Sequence, residues 1–189
     1  MVNRTRTRIE NFHLADVRPQ DRIAPNFRIY ELNRSDLAQR LDIDNRLPDD
    51  GVLRAAVHLT REVMQPIRDA HGRFSPTSVY RSQELERFLK KRPRGWISVS
   101  PHTQGCACDL DIPGLGTLAL AQWTAEHLPD YDEIICERFD PRQGPNSGWV
   151  HIALRPLGQG VNRRRLQSEI LDTKTGHWVL VPGLTDTLD

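Results

Sequence analysis

The chain has few of the features that would staple it or anchor it. Its 189 residues contain three cysteines, Cys106, Cys108 and Cys136, an odd number that excludes a fully paired disulfide scaffold. No apolar run approaches the roughly 18 residues a bilayer span requires, so no membrane insertion is expected. Charge is nearly balanced, with 26 Lys and Arg against 25 Asp and Glu. That leaves no basic field of the kind nucleic-acid binders carry, and no nucleic-acid partner is expected. Local basic clusters exist at Asn3–Arg8 and Arg163–Arg165, and both read as solvated surface. Repeats and low-complexity tracts are absent. The first residues, Met1-Val2-Asn3-Arg4, lack the apolar core of a secretory signal, which leads to the expectation of a protein made in the cytoplasm without a signal peptide. A hydrophobic fraction of 38% and a charged fraction of 27% suit one soluble domain.

Periodicity then places the elements. Residues 1–26 are polar, with Pro19 and Pro25, and read as an extended N-terminal arm. Asn33-Arg34-Ser35-Asp36 offers capping residues to a short helix reaching about Leu41. Apolar positions at Leu53, Ala56, Val57, Thr60, Val63, Met64 and Ile67 repeat at threes and fours, the mark of a helix with one buried stripe. Pro66 should kink it and Gly72 should stop it. A β-prone Thr77–Tyr80, a helix from Gln83 to about Lys91, and a helix over Leu118–His127 behind Thr117 as cap follow. Cys106–Ile112, Tyr131–Glu137 and Trp149–Leu154 suit strands, and Trp178–Val181 an edge strand. Helices early and strands late predict an α+β fold with a small, mostly antiparallel sheet packed by helices.

The chemistry concentrates in Ser100-Pro101-His102-Thr103-Gln104-Gly105-Cys106-Ala107-Cys108-Asp109. In a strand starting near Gly105, side chains alternate between faces. Cys106, Cys108, Leu110 and Ile112 then form a core face, while Asp109 shares the other with the small residues Gly105 and Ala107. His102, in the preceding loop, can fold over that space. In Trp149-Val150-His151-Ile152-Ala153-Leu154 the apolar face is Val150, Ile152 and Leu154, and His151 points the opposite way. Two imidazoles and one carboxylate are acceptable zinc ligands, and three protein ligands leave a fourth position open, as catalytic zinc sites do.

Together these segments resemble the Ser-x-His-x-x-Gly-x-Ala-x-Asp and Trp-x-His motifs of the zinc D-Ala-D-Ala carboxypeptidase family, which has the hedgehog/DD-peptidase fold. Ser78-Val79-Tyr80-Arg81-Ser82-x-x-Leu85 is similar to the family's Ser-Gly-Tyr-Arg-Ser-x-x-Leu element, and the stretch from Phe27 to Asn45 resembles one branch common in phage and prophage genes. The likeness covers Phe27 to Leu154, with motifs in the family's order. It implies a peptidase domain over residues 27–155, one Zn2+ held by His102, Asp109 and His151, and hydrolysis of an amide bond in a peptidoglycan stem peptide, by carboxypeptidase or endopeptidase action. It also implies that the enzyme reaches the cell wall after release, as a phage lysin, or as part of a virion among other virion proteins. Residues 156–189 form an extension on or beside this domain.

By the same resemblance Arg81 steadies a substrate carbonyl oxygen or carboxylate, a task suited to a planar, permanently charged fork. In that role its replacement by lysine would spare folding. Ser100 and Trp149, beside the ligands, are expected to touch substrate. Several branches place an acidic residue three positions before the last histidine, where this chain has Gly148. Tyr131-Asp132-Glu133-Ile134-Ile135-Cys136-Glu137 resembles the Phe-Asp-x-x-Ile-x-Glu element of another branch and makes Glu137 the expected general base, ahead of Glu133 and Asp140. Glu86 stands where the family often has Asn, and Lys90-Lys91-Arg92-Pro93-Arg94 forms a basic loop beside the cleft. Two rivals are a nucleophilic cysteine enzyme, opposed by the inward phase of Cys106 and Cys108, and a non-catalytic zinc-containing binding module of the same fold.

Overall fold

The computed structural model describes residues 1–188. It has the α+β architecture, with helices α1 (Asp36–Arg40), α2 (Asp50–Leu59), α3 (Gln65–His71), α4 (Gln83–Leu89) and α5 (Thr117–His127). Strands β1 (Arg22–Ala24) and β2 (Phe27–Arg28) make a small hairpin. Strands β3 (Ala107–Leu110), β4 (Glu133–Phe139), β5 (Trp149–Ala153), β6 (Arg165–Leu171) and β7 (Trp178–Pro182) make one sheet in the order β3-β5-β4-β6-β7. Its pairings are antiparallel except for the parallel pair β4–β6.

The long helical stretch begins behind Asp49, whose side chain accepts from the Val52 amide. It is not broken by Pro66, which lies in the first turn of α3. Between α2 and α3 the chain forms a π turn over Thr60–Met64, closed by the Gln65 amide on the Thr60 carbonyl. Proline has no N–H to donate and crowds the carbonyl four residues back, and the wider π turn accommodates both. Gly72, at φ +80°, ends the helix in a conformation that L side chains rarely adopt. The stripe Leu53, Ala56, Val57, Val63, Met64 and Ile67 is fully buried against the core side of the sheet, where Cys108, Leu110, Ile134, Cys136, Val150 and Ile152 point.

Several expectations require correction. The first 26 residues are not an extended arm. Phe12 and Ile23 lie fully inside the common core, and the Arg61 guanidinium gathers the carbonyls of Arg4, Thr7 and Ile23. Fully buried Asp21 accepts from the Val2 amide and the Arg4 side chain. Two apolar anchors far apart in a polar stretch have no periodicity to reveal them. The edge strand expected at Trp178–Val181 stands as β7, and with β6, which pairs with β4, it makes the stretch after residue 155 part of the sheet. Thr77–Tyr80 is no strand beyond one bridge between Ser78 and Asp109, since the Tyr80 amide turns away to the Leu32 carbonyl. Gly116, not Thr117, precedes α5, and the Thr117 hydroxyl instead donates to the Ser147 carbonyl at 2.8 Å. Among the described residues no helix is long and apolar enough to cross a membrane.

Candidate metal centre

The strand register brings the chemistry together. Asp109 on β3 lies opposite His151 on β5, and Glu137 on β4 lies opposite Trp149 on β5. Because side chains alternate, Asp109, His151, Trp149, Glu137 and Glu133 all rise from the face away from the apolar core. His102 reaches them from a 3-10 turn, Pro101–Gln104, ended by Gly105 at φ +69°. A Cβ on Gly105 would lie 2.6 Å from the Val52 carbonyl oxygen, so only glycine lets this turn close against α2.

Three ligand atoms converge. His102 Nε2 is 3.1 Å from Asp109 Oδ1 and 3.2 Å from His151 Nδ1, and His151 Nδ1 is 3.0 Å from Asp109 Oδ1. A tetrahedral ion with bonds of about 2.0–2.1 Å separates its ligand atoms by about 3.3–3.4 Å, so a shift of a few tenths of an ångström seats one. All three residues are buried, and this group could hold a metal ion. The tautomers suit the task. His102 Nδ1 lies 2.6 Å from the Val79 carbonyl, which only accepts, so Nδ1 carries the proton and Nε2 offers its lone pair. His151 turns Nδ1 inward and Nε2 toward Glu133 Oε1, 3.8 Å away.

Protonation favours ligation at Asp109 and His102 but opposes it at His151. Burial disfavours the Asp109 carboxylate, but His102, His151 and Arg81 around it outweigh burial and hold it well below the usual range. Burial lowers His102, keeping it neutral against the pull of Asp109. For His151 burial is outweighed by Asp109, Glu137 and Glu133, which raise it.

Arg81 lines the larger cleft, and its guanidinium is engaged on several sides. Its Nε donates to Ser78 Oγ at 2.7 Å, Nη1 to Glu86 Oε1 at 3.0 Å, and Nη2 to Asp109 Oδ2, with His102 Nε2 also 3.1 Å from Nη2. Asp109 is therefore divided between its neighbours, with Oδ1 toward the imidazoles and Oδ2 toward the guanidinium. The three base candidates separate clearly. Asp140 caps the turn Pro141–Gln143 and is lowered by hydrogen bonds from Arg142 and Gln143. Glu133 is bound by Arg165. Glu137 is half-buried, and burial, with the nearby Asp109 charge, raises its pKa, while the Trp149 indole N–H holds Oε2 at 2.8 Å. At Gly148 no acid can stand. Its φ is +72°, and a Cβ there would lie 2.1 Å from the Glu137 carbonyl oxygen.

Two clefts meet at this centre. The larger, about 790 Å3, is lined by Arg34–Leu37, Ser78, Asp109, Glu137 and Trp149. The smaller, about 290 Å3, runs between Ser98–Pro101 and Glu133, Glu137 and His151. Ser100 thus lines one and Trp149 the other. Of the basic loop only Lys90 reaches the clefts; Lys91, Arg92 and Arg94 border a separate basin with Phe88. All three thiols are buried, with Cys106 pushed up to about 11 and Cys136 to about 12 by desolvation, which suits inert core residues and not nucleophiles. Sequence reasoning assigned no role to Glu86, which is fully buried beside Arg81. Its pairing with Lys90 four residues on was the one visible signal. No family model, curated protein or solved structure matches the chain.

Proposed function

We propose that the chain is a zinc peptidase hydrolysing an amide bond in peptidoglycan stem peptides. The observation that carries this reading is the open cleft in which a half-buried carboxylate of raised pKa, Glu137, faces a buried His-Asp-His cluster whose ligand atoms lie 3.0–3.2 Å apart. The donor set, two imidazoles and one carboxylate on a single ion, favours zinc with an open coordination position. When bound, zinc would supply Lewis acidity toward the scissile carbonyl and lower the pKa of a water toward about 7.

The chain's own residues account for the rest. Glu137, raised by burial, accepts the proton of the attacking water and delivers it to the leaving amine. The Trp149 indole fixes its Oε2, leaving Oε1 for the proton. Arg81 anchors Asp109 by Oδ2, which leaves Oδ1 for the ion. The choice of stem peptide as substrate rests on the order and spacing of the motifs around Arg81, His102, Asp109 and His151. A phage lysin or virion-borne wall hydrolase is the setting that this likeness suggests. The test is digestion of purified sacculi by zinc-loaded protein, with mass spectrometry of the soluble fragments. New amino and carboxyl ends within stem peptides or cross-bridges are expected. Intact sacculi after exposure to the zinc-loaded protein would instead favour a binding module.

A further inference from the structure

Glu86 is a buried carboxylate that the proposed chemistry does not use. It lies on α4 with no exposed surface, a position an ionised group occupies only when its oxygens are fully partnered. The partners come from three places. Oε1 accepts from Arg81 Nη1 at 3.0 Å, while Oε2 accepts from Ser98 Oγ at 3.1 Å and from Lys90 Nζ at 2.8 Å. Arg81 leads to the metal centre, because Nη2 donates to Asp109 Oδ2. Ser98 leads to the segment bordering the smaller cleft, Ser98–Pro101, which runs directly into the turn carrying His102. Gln83, one turn earlier on α4, holds the same serine by its backbone, accepting from the Ser98 amide at 2.7 Å and donating to its carbonyl at 3.1 Å. The Ser98 hydroxyl also accepts from the Ser100 amide at 3.1 Å.

We propose that Glu86 is a positioning residue, tying the Ser98–Pro101 rim of the cleft to the metal ligand Asp109 through Arg81. The role rests on the zinc-peptidase reading but concerns metal affinity and rim order, neither of which requires turnover. One carboxylate serves both arms, with one oxygen on the guanidinium that sets Asp109 and the other on the rim serine. The neutral amide of glutamine must turn its NH2 either toward the Arg81 donor or toward Ser98 and Lys90, where it faces the ammonium and forces the serine hydroxyl to change from donor to acceptor. Groups that orient metal ligands typically change affinity by 10–100-fold; one residue further removed, Glu86→Gln should weaken zinc binding on the order of tenfold.

The experiment measures zinc affinity by chelator competition and amide hydrogen exchange over residues 96–101, on parent, Glu86→Gln, Ser98→Ala and Lys90→Met. Glu86→Gln is expected to weaken zinc binding and to speed exchange at Ser98 and Ser100. Ser98→Ala removes the rim arm together with the acceptor of the Ser100 amide, so the exchange read for this variant is that of Ser98, which should speed while zinc affinity stays within about twofold. Lys90→Met removes a partner that is 45% exposed and should change neither. Should Glu86→Gln not accumulate folded, the Ser98→Ala pattern still decides, because unchanged exchange there removes the rim arm. Parent-like affinity and exchange in folded Glu86→Gln would overturn the proposal outright. A parent that binds zinc and shows these effects but hydrolyses no sacculus would sink the peptidase reading and leave this one standing.

Discussion

Replacing Arg81 by lysine tests how the site is built, and its cost can be worked from the contacts. Arg81 is 18% exposed at its side chain and uses three separate nitrogens, Nε on Ser78, Nη1 on Glu86 and Nη2 on Asp109. Lysine brings one ammonium on a flexible stem, which can satisfy one of the two carboxylates but not both. Glu86 and Asp109 are 0% and 4% exposed, so water cannot replace the missing donor. Losing the second charged hydrogen bond and the fixed fork of the first corresponds to about 3–6 kcal/mol, at about 1.5–3 kcal/mol each. At about 2–4 °C per kcal/mol for a chain of this size, the melting temperature should fall by about 6–24 °C. The measurement is thermal unfolding by circular dichroism with chelator present, so that no ion compensates Asp109. In zinc-saturated buffer the loss should be smaller, because the ion then shares the Asp109 charge. A shift under about 2 °C without metal would refute the reasoning, and would mean that Arg81 is held less firmly than its contacts indicate.

Purified protein should carry about one zinc per chain, and His102→Ala, Asp109→Ala and His151→Ala should each lose it in metal analysis; tight binding by His151→Ala would break the ligand set. Glu137→Gln should keep zinc and fold but lose on the order of a hundredfold or more in turnover on muropeptides; near-parent activity would move the base to another residue. The same variant carries a stability signature. The Glu137 pKa is raised on folding, so the folded state holds that proton more tightly than the unfolded chain, and stability falls as pH rises through the folded value. In zinc-free protein Glu137→Gln should therefore melt higher than the parent at pH 7 and converge with it in acid; a lower melting temperature at pH 7 would contradict the assignment. Gly148→Ala combines a positive φ with a Cβ placed 2.1 Å from the Glu137 carbonyl oxygen. It should cost more than the about 1–2 kcal/mol of left-handed strain alone, read by urea unfolding.

Much of the centre was legible before any tertiary structure, because local rules decide it. Alternation along a strand sends Cys108 and Leu110 inward and Asp109 outward, and does the same for Val150, Ile152 and His151. The capping residues Asn33–Asp36, of which Ser35 is the cap, and a 3-4 apolar repeat over Leu53–Ile67 likewise locate helices that stand in the structure. These signals act within a few residues of chain, where backbone geometry alone fixes which side chains share a face.

What only the tertiary structure decided depends on partners far away in sequence. Glu133, Glu137 and Asp140 lie on β4 or directly after it. What separates them is Arg165 arriving on β6, Trp149 on β5 and Arg142 on a turn. The strand β6 itself escaped notice, because Arg163–Arg165 reads as solvated surface until Asp132 and Glu133 appear opposite as its counter-charges. Phe12 and Ile23 became core only when the helices supplied a surface to cover. Glu86 shows the limit most plainly. A glutamate on a short helix is ordinarily solvated, and nothing nearby except Lys90 marks it otherwise. Its ionised, fully buried state exists because Arg81 and Ser98 converge on it from separate stretches of chain. The electrostatic cost of burying a charge is set by what surrounds it in space, and a linear sequence specifies those surroundings only through the fold.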